Sequence, residues 1–147
     1  MSKVTRLYSG FEDTLAVSAA TITTGWKAGQ LARLCDDGAH RMQLASGSAV
    51  YGVILDGSTE LAAPPSGSLV TVLFGSSLFL IDGSDDVAAG VTTYVYETEV
   101  ASGHENDLLY CSYEGKWATT SGSKQPVGYM TQVPAAGNNY TLGVRLL

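Results

Sequence analysis

Short runs of Val, Ile, Leu, Thr and Tyr recur along the chain, and clusters of Gly, Asp, Asn and Ser separate them. Two stretches, 92–96 and 139–146, alternate between polar and apolar positions, which is the period of a strand with one buried face. The pattern predicts about eleven strands. They lie near Thr14–Thr23, Gln30–Cys35, Met42–Ala45, Ala49–Leu55, Leu69–Phe74, Ser77–Ile81, Val91–Glu97, Leu108–Tyr113, Lys116–Thr119, Pro126–Val133 and Tyr140–Leu146.

The separating residues support this interpretation. Asp37-Gly38 and Asp56-Gly57 supply the positive φ that tight hairpins require, and Gly75-Ser76 predicts a further turn. The longest helical candidate, Trp26–Leu34, is interrupted by a glycine, and one helical turn capped by Ser84 is the other candidate. The sequence therefore predicts an all-β fold, a small barrel or sandwich.

Two halves of the chain resemble each other. The first half contains Leu34-Cys35, an acidic-glycine turn, a Ser-Gly-Ser triplet and Tyr51-Gly52-Val53, in that order. The second contains Tyr110-Cys111, a second such turn and triplet, and Val127-Gly128-Tyr129. A duplication predicts two similar lobes, with Gly52 and Gly128 at bulges or close backbone approaches. The alternative is chance similarity between two glycine-rich β segments.

Composition and charge narrow the function. The 147 residues are 45% hydrophobic and 15% charged, with a net charge of −6, which predicts one soluble domain with its own core. Met1–Phe11 lacks the apolar stretch of an export signal, so we expect synthesis without export. Residues 42–115 hold ten carboxylates and no Lys or Arg. Nucleic acid and anionic membranes attract basic surfaces, so we expect neither as a partner.

The sequence shows no motif of an active site, whether a phosphate loop, a nucleophile elbow or a zinc-protease helix. His40 and His104, each close to carboxylates in the sequence, are candidate metal ligands, and exposed turn residues are the simpler interpretation. Cys35 and Cys111 are interpreted as small buried apolar residues, with a disulfide or a reactive thiol as the alternative. We therefore expect no enzymatic activity, cofactor or metal.

The first residues have a different character. We divide the chain into an N-terminal arm, residues 1–13, and a single β domain, residues 14–147. The arm has no clean period and suits docking on another surface, with a frayed terminus as the alternative. Aromatic residues on strands also suit a core or a sugar-binding platform. The candidate contact residues are Val4, Arg6, Leu7, Tyr8 and Phe11 in the arm, with Trp26 and Trp117 in the domain.

Few charged residues protect the predicted strand edges, and Leu69–Phe74 and Ser77–Ile81 contain none. Such strands are either central in their sheet or covered by another chain. Low charge also suits broad subunit contacts, because charged side chains are depleted at the centres of interfaces. The sequence therefore favours a component of an assembly over a diffusing enzyme.

One stretch carries a family resemblance. Thr21-Ile22-Thr23-Thr24-Gly25-Trp26-Lys27-Ala28-Gly29-Gln30-Leu31 is followed by the Asp37-Gly38 turn, by Met42–Ala45 and by Val50-Tyr51-Gly52-Val53. In this order the chain resembles the decoration, or cement, proteins of tailed-bacteriophage capsids. Pro126-Val127-Gly128-Tyr129 ends in a similar way, and the rest of the chain shares only the β-rich style.

The resemblance implies a β-tulip or β-clip type of domain with an extended N-terminal arm. It implies a homotrimer on the capsid exterior that is made in the host bacterial cytoplasm and bridges neighbouring capsomers. The major capsid protein would be its partner, with Val4–Phe11 matching the family's capsid-binding arm in position. The alternatives are another virion module, such as a tail tube, collar or fibre base, and a carbohydrate-binding β-module.

Overall fold

A computed structural model of the chain describes residues 3–36, 40–47, 49–57, 68–82, 95–122 and 124–147. These residues form nine strands, a short helix α1 (Ala19–Thr24), and 3₁₀ turns at Thr98–Ser102, Tyr113–Gly115 and Ala136–Asn138. The strands are β1 (Lys3–Val17), β2 (Leu31–Leu34), β3 (Arg41–Leu44), β4 (Gly52–Ile54), β5 (Leu69–Asp82), β6 (Leu108–Cys111), β7 (Trp117–Ala118), β8 (Pro126–Gln132) and β9 (Leu142–Leu146). The prediction of an all-β fold is confirmed.

Helix α1 replaces the end of a predicted strand. The strand predicted over Thr14–Thr23 ends at Val17, and Ser18 then caps α1 by accepting a hydrogen bond from the Thr21 amide at 3.3 Å. The strand predicted over Gln30–Cys35 is β2, and the glycine-interrupted segment Trp26–Leu34, the longest helical candidate, contributes its last four residues to that strand.

The predicted turn at Gly75-Ser76 is also absent. Leu69–Phe74 and Ser77–Ile81 belong to one strand, β5, because Gly75 adopts a φ of 77° without reversing the chain. The Asp37-Gly38 turn, the helical turn after Ser84 and the first part of the strand predicted over Val91–Glu97 lie outside the described residues.

β1 closes the first half of the molecule into a barrel. The sheet order is β1-β3-β2-β4-β5-β9-β8-β6-β7, and β1 also pairs with β5, so the strands β1 to β5 form a closed ring. β1 is antiparallel to β5 along almost its whole length, and it meets β3 in parallel at Ala16 and Val17. The first half of β5 completes the barrel, and its second half pairs with β9.

The two halves have the same strand order, since β3-β2-β4-β5 in the first corresponds to β7-β6-β8-β9 in the second. We call residues 11–74 the first lobe and residues 77–146 the second lobe. Their registers also agree: Leu34 lies opposite Met42 just as Cys111 lies opposite Trp117. The parallel pairing of Val17 with Met42 has its counterpart in a parallel bridge to Trp117. The shared order and register support a duplication.

Each lobe has a core, and the two cores differ in one respect. The second core also includes residues from the outer wall of the first lobe, so the first lobe buries one outer face against the second. The first core contains Leu15, Val17, Trp26, Ala32, Met42, Ile54, Val70 and Val72. The second contains Phe79, Ile81, Tyr96, Leu109, Trp117, Met130, Leu142 and Val144, with Leu31, Val53 and Leu73 from the first lobe.

Gly52 and Gly128 occupy equivalent positions in β4 and β8. A Cβ at Gly52 would collide with the carbonyl oxygen of Leu73, and a Cβ at Gly128 would lie 2.7 Å from that of Arg145. The prediction of a close backbone approach is therefore confirmed at both glycines.

Candidate interaction surface

From Lys3 onward, the predicted arm is the first part of β1 and pairs with the second half of β5. The boundary after residue 13 therefore falls inside a strand. Leu7, Tyr8 and Phe11 are 52%, 74% and 69% exposed, whereas Val4 is half-buried against the second core. The strand thus presents three large side chains to solvent while it is anchored in the sheet.

One edge of β1 has few partners. Apart from β5, the only strand that pairs with it within the described ranges is β3, at Ala16 and Val17. Register shifts next to Leu7 and Gly10 distort this edge, and Arg6 forms an ion pair with Glu12 at 3.3 Å. Bulges and charges limit uncontrolled strand pairing. The edge along residues 3–15 is therefore not paired with another described strand, and its bulges and charged side chains limit uncontrolled pairing.

Three aromatic rings in contact with one another lie beside the exposed part of β1. The ring of Phe11 lies 5.8 Å from that of Phe74, which stacks on Tyr51 at 5.2 Å. The Tyr51 hydroxyl donates a hydrogen bond of 2.6 Å to Asp13, whose carboxylate also lies 3.0 Å from His40 Nε2. These contacts fix β1 to the residues that precede β3 and β4.

The hydrogen bond between Tyr51 and Asp13 shifts the pKa values of the two side chains in opposite directions. The hydrogen bond from Tyr51 lowers the pKa of Asp13 below its usual value, against the opposing effect of burial. Burial and the neighbouring carboxylate raise the pKa of Tyr51 to about 12. At neutral pH the carboxylate is therefore charged and the phenol protonated, which is the state in which the bond forms.

The two tryptophans predicted as contact residues lie in the interior. Trp26 is 2% exposed and donates its indole N–H to the carbonyl of Asp56 at 2.7 Å. Trp117 is fully buried and donates to the carbonyl of Gly29 at 2.8 Å, which links the second lobe to the chain before β2. Both side chains therefore belong to the core, which is one of the positions expected for aromatic residues on strands, and they present almost no surface to a partner.

A cleft of about 630 Å³ separates parts of the two lobes. Lys27 and Arg33 line it from the first lobe, and Tyr113 and Lys116 from the second. The fold thus brings together basic residues that the sequence separates. Tyr113 is 73% exposed, and Arg33 forms an ion pair with Asp36 at 2.9 Å.

The histidines proposed as metal ligands lie apart from each other in carboxylate pairs. His40 contacts Asp13, and His104 Nδ1 lies 3.9 Å from Asp107. Within the part of the chain that the structure describes, no group of three or more His, Cys, Asp or Glu residues is placed to hold a metal ion.

Both cysteines are free thiols. Cys111 is fully buried, and the loss of solvent raises the pKa of its thiol. The interpretation as a buried apolar residue is therefore confirmed for Cys111. Cys35 is only half-buried, with its Sγ 3.6 Å from Gln43 Oε1.

Part of the exposed apolar surface is not apparent from the sequence. The sequence predicts Leu108 only as part of a strand and Tyr129 only as part of the repeat. Both are exposed on the outer face of the second lobe. The internal repeat contains the relevant signal, because the registers align these two residues with Leu31 and Val53 of the first lobe.

A scan against protein-family models gave no match, and a search of curated proteins gave none either. Among the helical residues that the structure describes, no helix is long and apolar enough to cross a membrane.

Proposed function

We propose that this chain is a structural virion protein that binds the outer surface of a phage capsid and bridges neighbouring capsomers. It acts as a homotrimer, its partner is the major capsid protein, and it has no catalytic role. Its location is the capsid exterior, after synthesis in the host bacterial cytoplasm. The resemblance of residues 21–53 to capsid decoration proteins suggests this role, and the exposed edge of β1 is the structural observation that supports it.

The edge of β1 is suited to protein contact for two reasons. An open strand edge offers backbone N–H and C=O groups that a strand of another protein can pair with. Leu7 and Phe11 stand beside this edge with most of their surface exposed, and burying them against a partner would add hydrophobic stabilisation. β5 and the Tyr51–Asp13 bond hold the edge in place, so little ordering is required on binding.

The mechanism of stabilisation is mass action. A protein that binds the assembled shell, and not its separated subunits, stabilises the shell in proportion to RT ln(1 + [L]/Kd). No bond is made or broken, and the gain depends on the concentration and affinity of the bound chain.

The test is co-sedimentation of the purified chain with expanded capsids that lack it. Phe11→Asp and Leu7→Asp place a charge at the proposed contact, and we expect each to weaken capsid binding about tenfold or more. Tyr113→Asp is the matched control, because Tyr113 is as exposed as Tyr8 but lies at the cleft. Binding by both β1 variants as tight as wild type would contradict the proposal.

Point substitutions are preferable to deletion of the arm. Removal of residues 1–13 would take away the strand that pairs with the second half of β5. A loss of binding in that variant could then come either from the missing contact residues or from damage to the sheet.

The cleft between the lobes favours a second candidate, a carbohydrate-binding module. Tyr113 offers an exposed ring, and Gln43 and Lys116 line the same cleft with polar side chains. Titration with oligosaccharides, followed by tyrosine and tryptophan fluorescence, tests this candidate. Saturable binding that Tyr113→Ala abolishes would support it, and the absence of binding across a glycan array would exclude it.

A further inference from the structure

Positive charge collects in the cleft between the two lobes. The chain carries eight basic residues and a net charge of −6. Three of the eight, Lys27, Arg33 and Lys116, line the cleft, and among the described lining residues Glu114 alone bears a carboxylate. A concave surface lined by one sign of charge concentrates ligands of the opposite sign. The cleft therefore favours an anionic ligand, although the chain as a whole is acidic.

Buried contacts fix the walls of the cleft. Gln30, which is 9% exposed, accepts a hydrogen bond from the Lys27 amide and donates one of 3.0 Å to the carbonyl of Glu114. One side chain thus joins the segment before β2 to a 3₁₀ turn of the second lobe. In that turn, a Cβ at Gly115 would lie 2.5 Å from the carbonyl oxygen of Leu31. The backbone that carries the lining side chains is therefore ordered before a ligand arrives, which lowers the cost of binding.

The same turn contains a disfavoured backbone conformation. Glu114 lies in the left-handed region, with φ 53° and ψ 40°. Residues with a Cβ seldom adopt this conformation, and where they do they cluster at ligand-binding sites whose surroundings hold them in place. Here the bond from Gln30 holds Glu114, and the preceding residue, Tyr113, lines the cleft with 73% of its surface exposed.

We propose that the cleft binds an acidic saccharide, one whose sugar rings carry carboxylate groups. The ring of Tyr113 packs against a face of one sugar, and Lys116 and Arg33 bind the carboxylates. A site of about 630 Å³ with one aromatic ring and a few polar groups has the size and character of a small-ligand site.

The basic residues suit carboxylates. Arg33 already binds one, that of Asp36, at 2.9 Å. The Asp36 side chain is 90% exposed, and so exposed an ion pair is weak, so a ligand carboxylate can replace it. Lys116 is half-buried, and no carboxylate of the described residues forms an ion pair with it. A charge partly shielded from water attracts a counter-charge more strongly than an exposed one.

The lining also favours a saccharide over an acidic peptide. Peptides pair with open strand edges or place several apolar anchors in a groove. Of the large apolar side chains that are exposed within the described ranges, Tyr113 alone lines the cleft. Thr24, Gln43 and Ser46 line it with polar side chains, which can exchange hydrogen bonds with sugar hydroxyls.

This inference rests on the second candidate function, the carbohydrate-binding module, and names its class of saccharide. It is independent of the contact through β1, because the lining residues begin at Ala20, after β1 ends.

The experiment is isothermal titration calorimetry with oligosaccharides of galacturonate, of mannuronate and of sialic acid, each beside its uncharged methyl ester. We expect at least one acid to bind, and its ester to bind about tenfold more weakly or less. Lys116→Gln should raise the dissociation constant of that acid about tenfold, and Lys116→Arg should restore it. Tyr113→Ala should weaken binding of acid and ester alike.

Lys124→Gln is the matched control, because it removes the same charge at a residue outside the cleft. Circular dichroism verifies that each variant is folded, and Arg33→Gln replaces Lys116→Gln if that variant is not.

Four results would overturn the inference. Equal binding of acids and esters would do so while keeping the carbohydrate-binding candidate, and so would binding that the folded Lys116→Gln variant leaves unchanged. Tighter binding of a sulfated oligosaccharide, or of an oligoglutamate peptide, than of every carboxylated saccharide would assign the cleft to another ligand. Binding of no saccharide at all would remove the inference and the carbohydrate-binding candidate together, and capsid co-sedimentation would still test the capsid role.

Discussion

Alanine at the two equivalent strand glycines tests the duplicated architecture. In Gly128→Ala the new Cβ would lie 2.7 Å from the carbonyl oxygen of Arg145, a distance that real Cβ contacts essentially never show. To reach ordinary contact, β8 and β9 must separate locally by at least about 0.7 Å. In Gly52→Ala the obstruction by Leu73 is more severe, and Val72 Cγ1 lies 2.8 Å from the new atom.

Overpacking of this kind costs about 1–3 kcal/mol, so we expect Gly128→Ala to lower the free energy of unfolding by that amount. Gly52→Ala should cost at least as much. For a chain of this length the loss corresponds to a fall in Tm of about 3–10 °C. Urea denaturation and differential scanning calorimetry measure the two quantities independently.

Gly137→Ala is the matched control. A Cβ at Gly137 meets no atom within 4 Å, and this glycine has no positive φ. We expect a change within about 0.5 kcal/mol. If Gly52→Ala and Gly128→Ala are as stable as this control, the close strand approach does not constrain the two positions, and the account of the repeat fails.

Three further substitutions or reactions test single contacts. Tyr51→Phe should lower the free energy of unfolding at neutral pH. The difference in this free energy between the variant and wild type should narrow as the pH falls below 3.8, because Asp13 then takes up a proton. The difference should also narrow as the pH rises from 10 toward 12, where Tyr51 itself ionises; a constant difference in urea titrations would contradict this. Trp117→Phe leaves the carbonyl of Gly29 without its indole donor and should cost about 1–3 kcal/mol or more in urea denaturation, whereas an unchanged midpoint would contradict the bond. Cys111 should react with a thiol reagent only after unfolding, and rapid labelling in the folded protein would contradict its burial.

Much of the fold follows from local sequence patterns. Strands such as β2, β3 and β9 coincide closely with apolar runs bounded by turn residues, because both of these signals are local in the sequence. The repeat around Gly52 and Gly128 was also visible, since close strand packing restricts both positions to glycine.

Other features depend on contacts that the sequence does not reveal locally. β5 continues through Gly75 because β1 pairs with it on both sides of that residue, so tertiary pairing overrides a turn signal. α1 depends on a hydrogen bond that the cap residue Ser18 accepts from the Thr21 amide, and the β-branched Ile22 within it favours a strand.

The candidate surface was predicted in part. Residues 4–11 were predicted to make contacts from their lack of a clean period and from their position, whereas the sequence did not show that they belong to an anchored strand. Trp26 and Trp117 are aromatic like the exposed residues, and only the fold distinguishes their buried positions.

A reconstruction of virion heads by electron cryomicroscopy tests the central claim most directly. The proposal predicts density for this chain on the outer capsid surface, in groups of three, with the edge of β1 and the side chains of Leu7 and Phe11 against the major capsid protein. Heads without this density, or copies that contact the capsid only through other faces, would contradict the account.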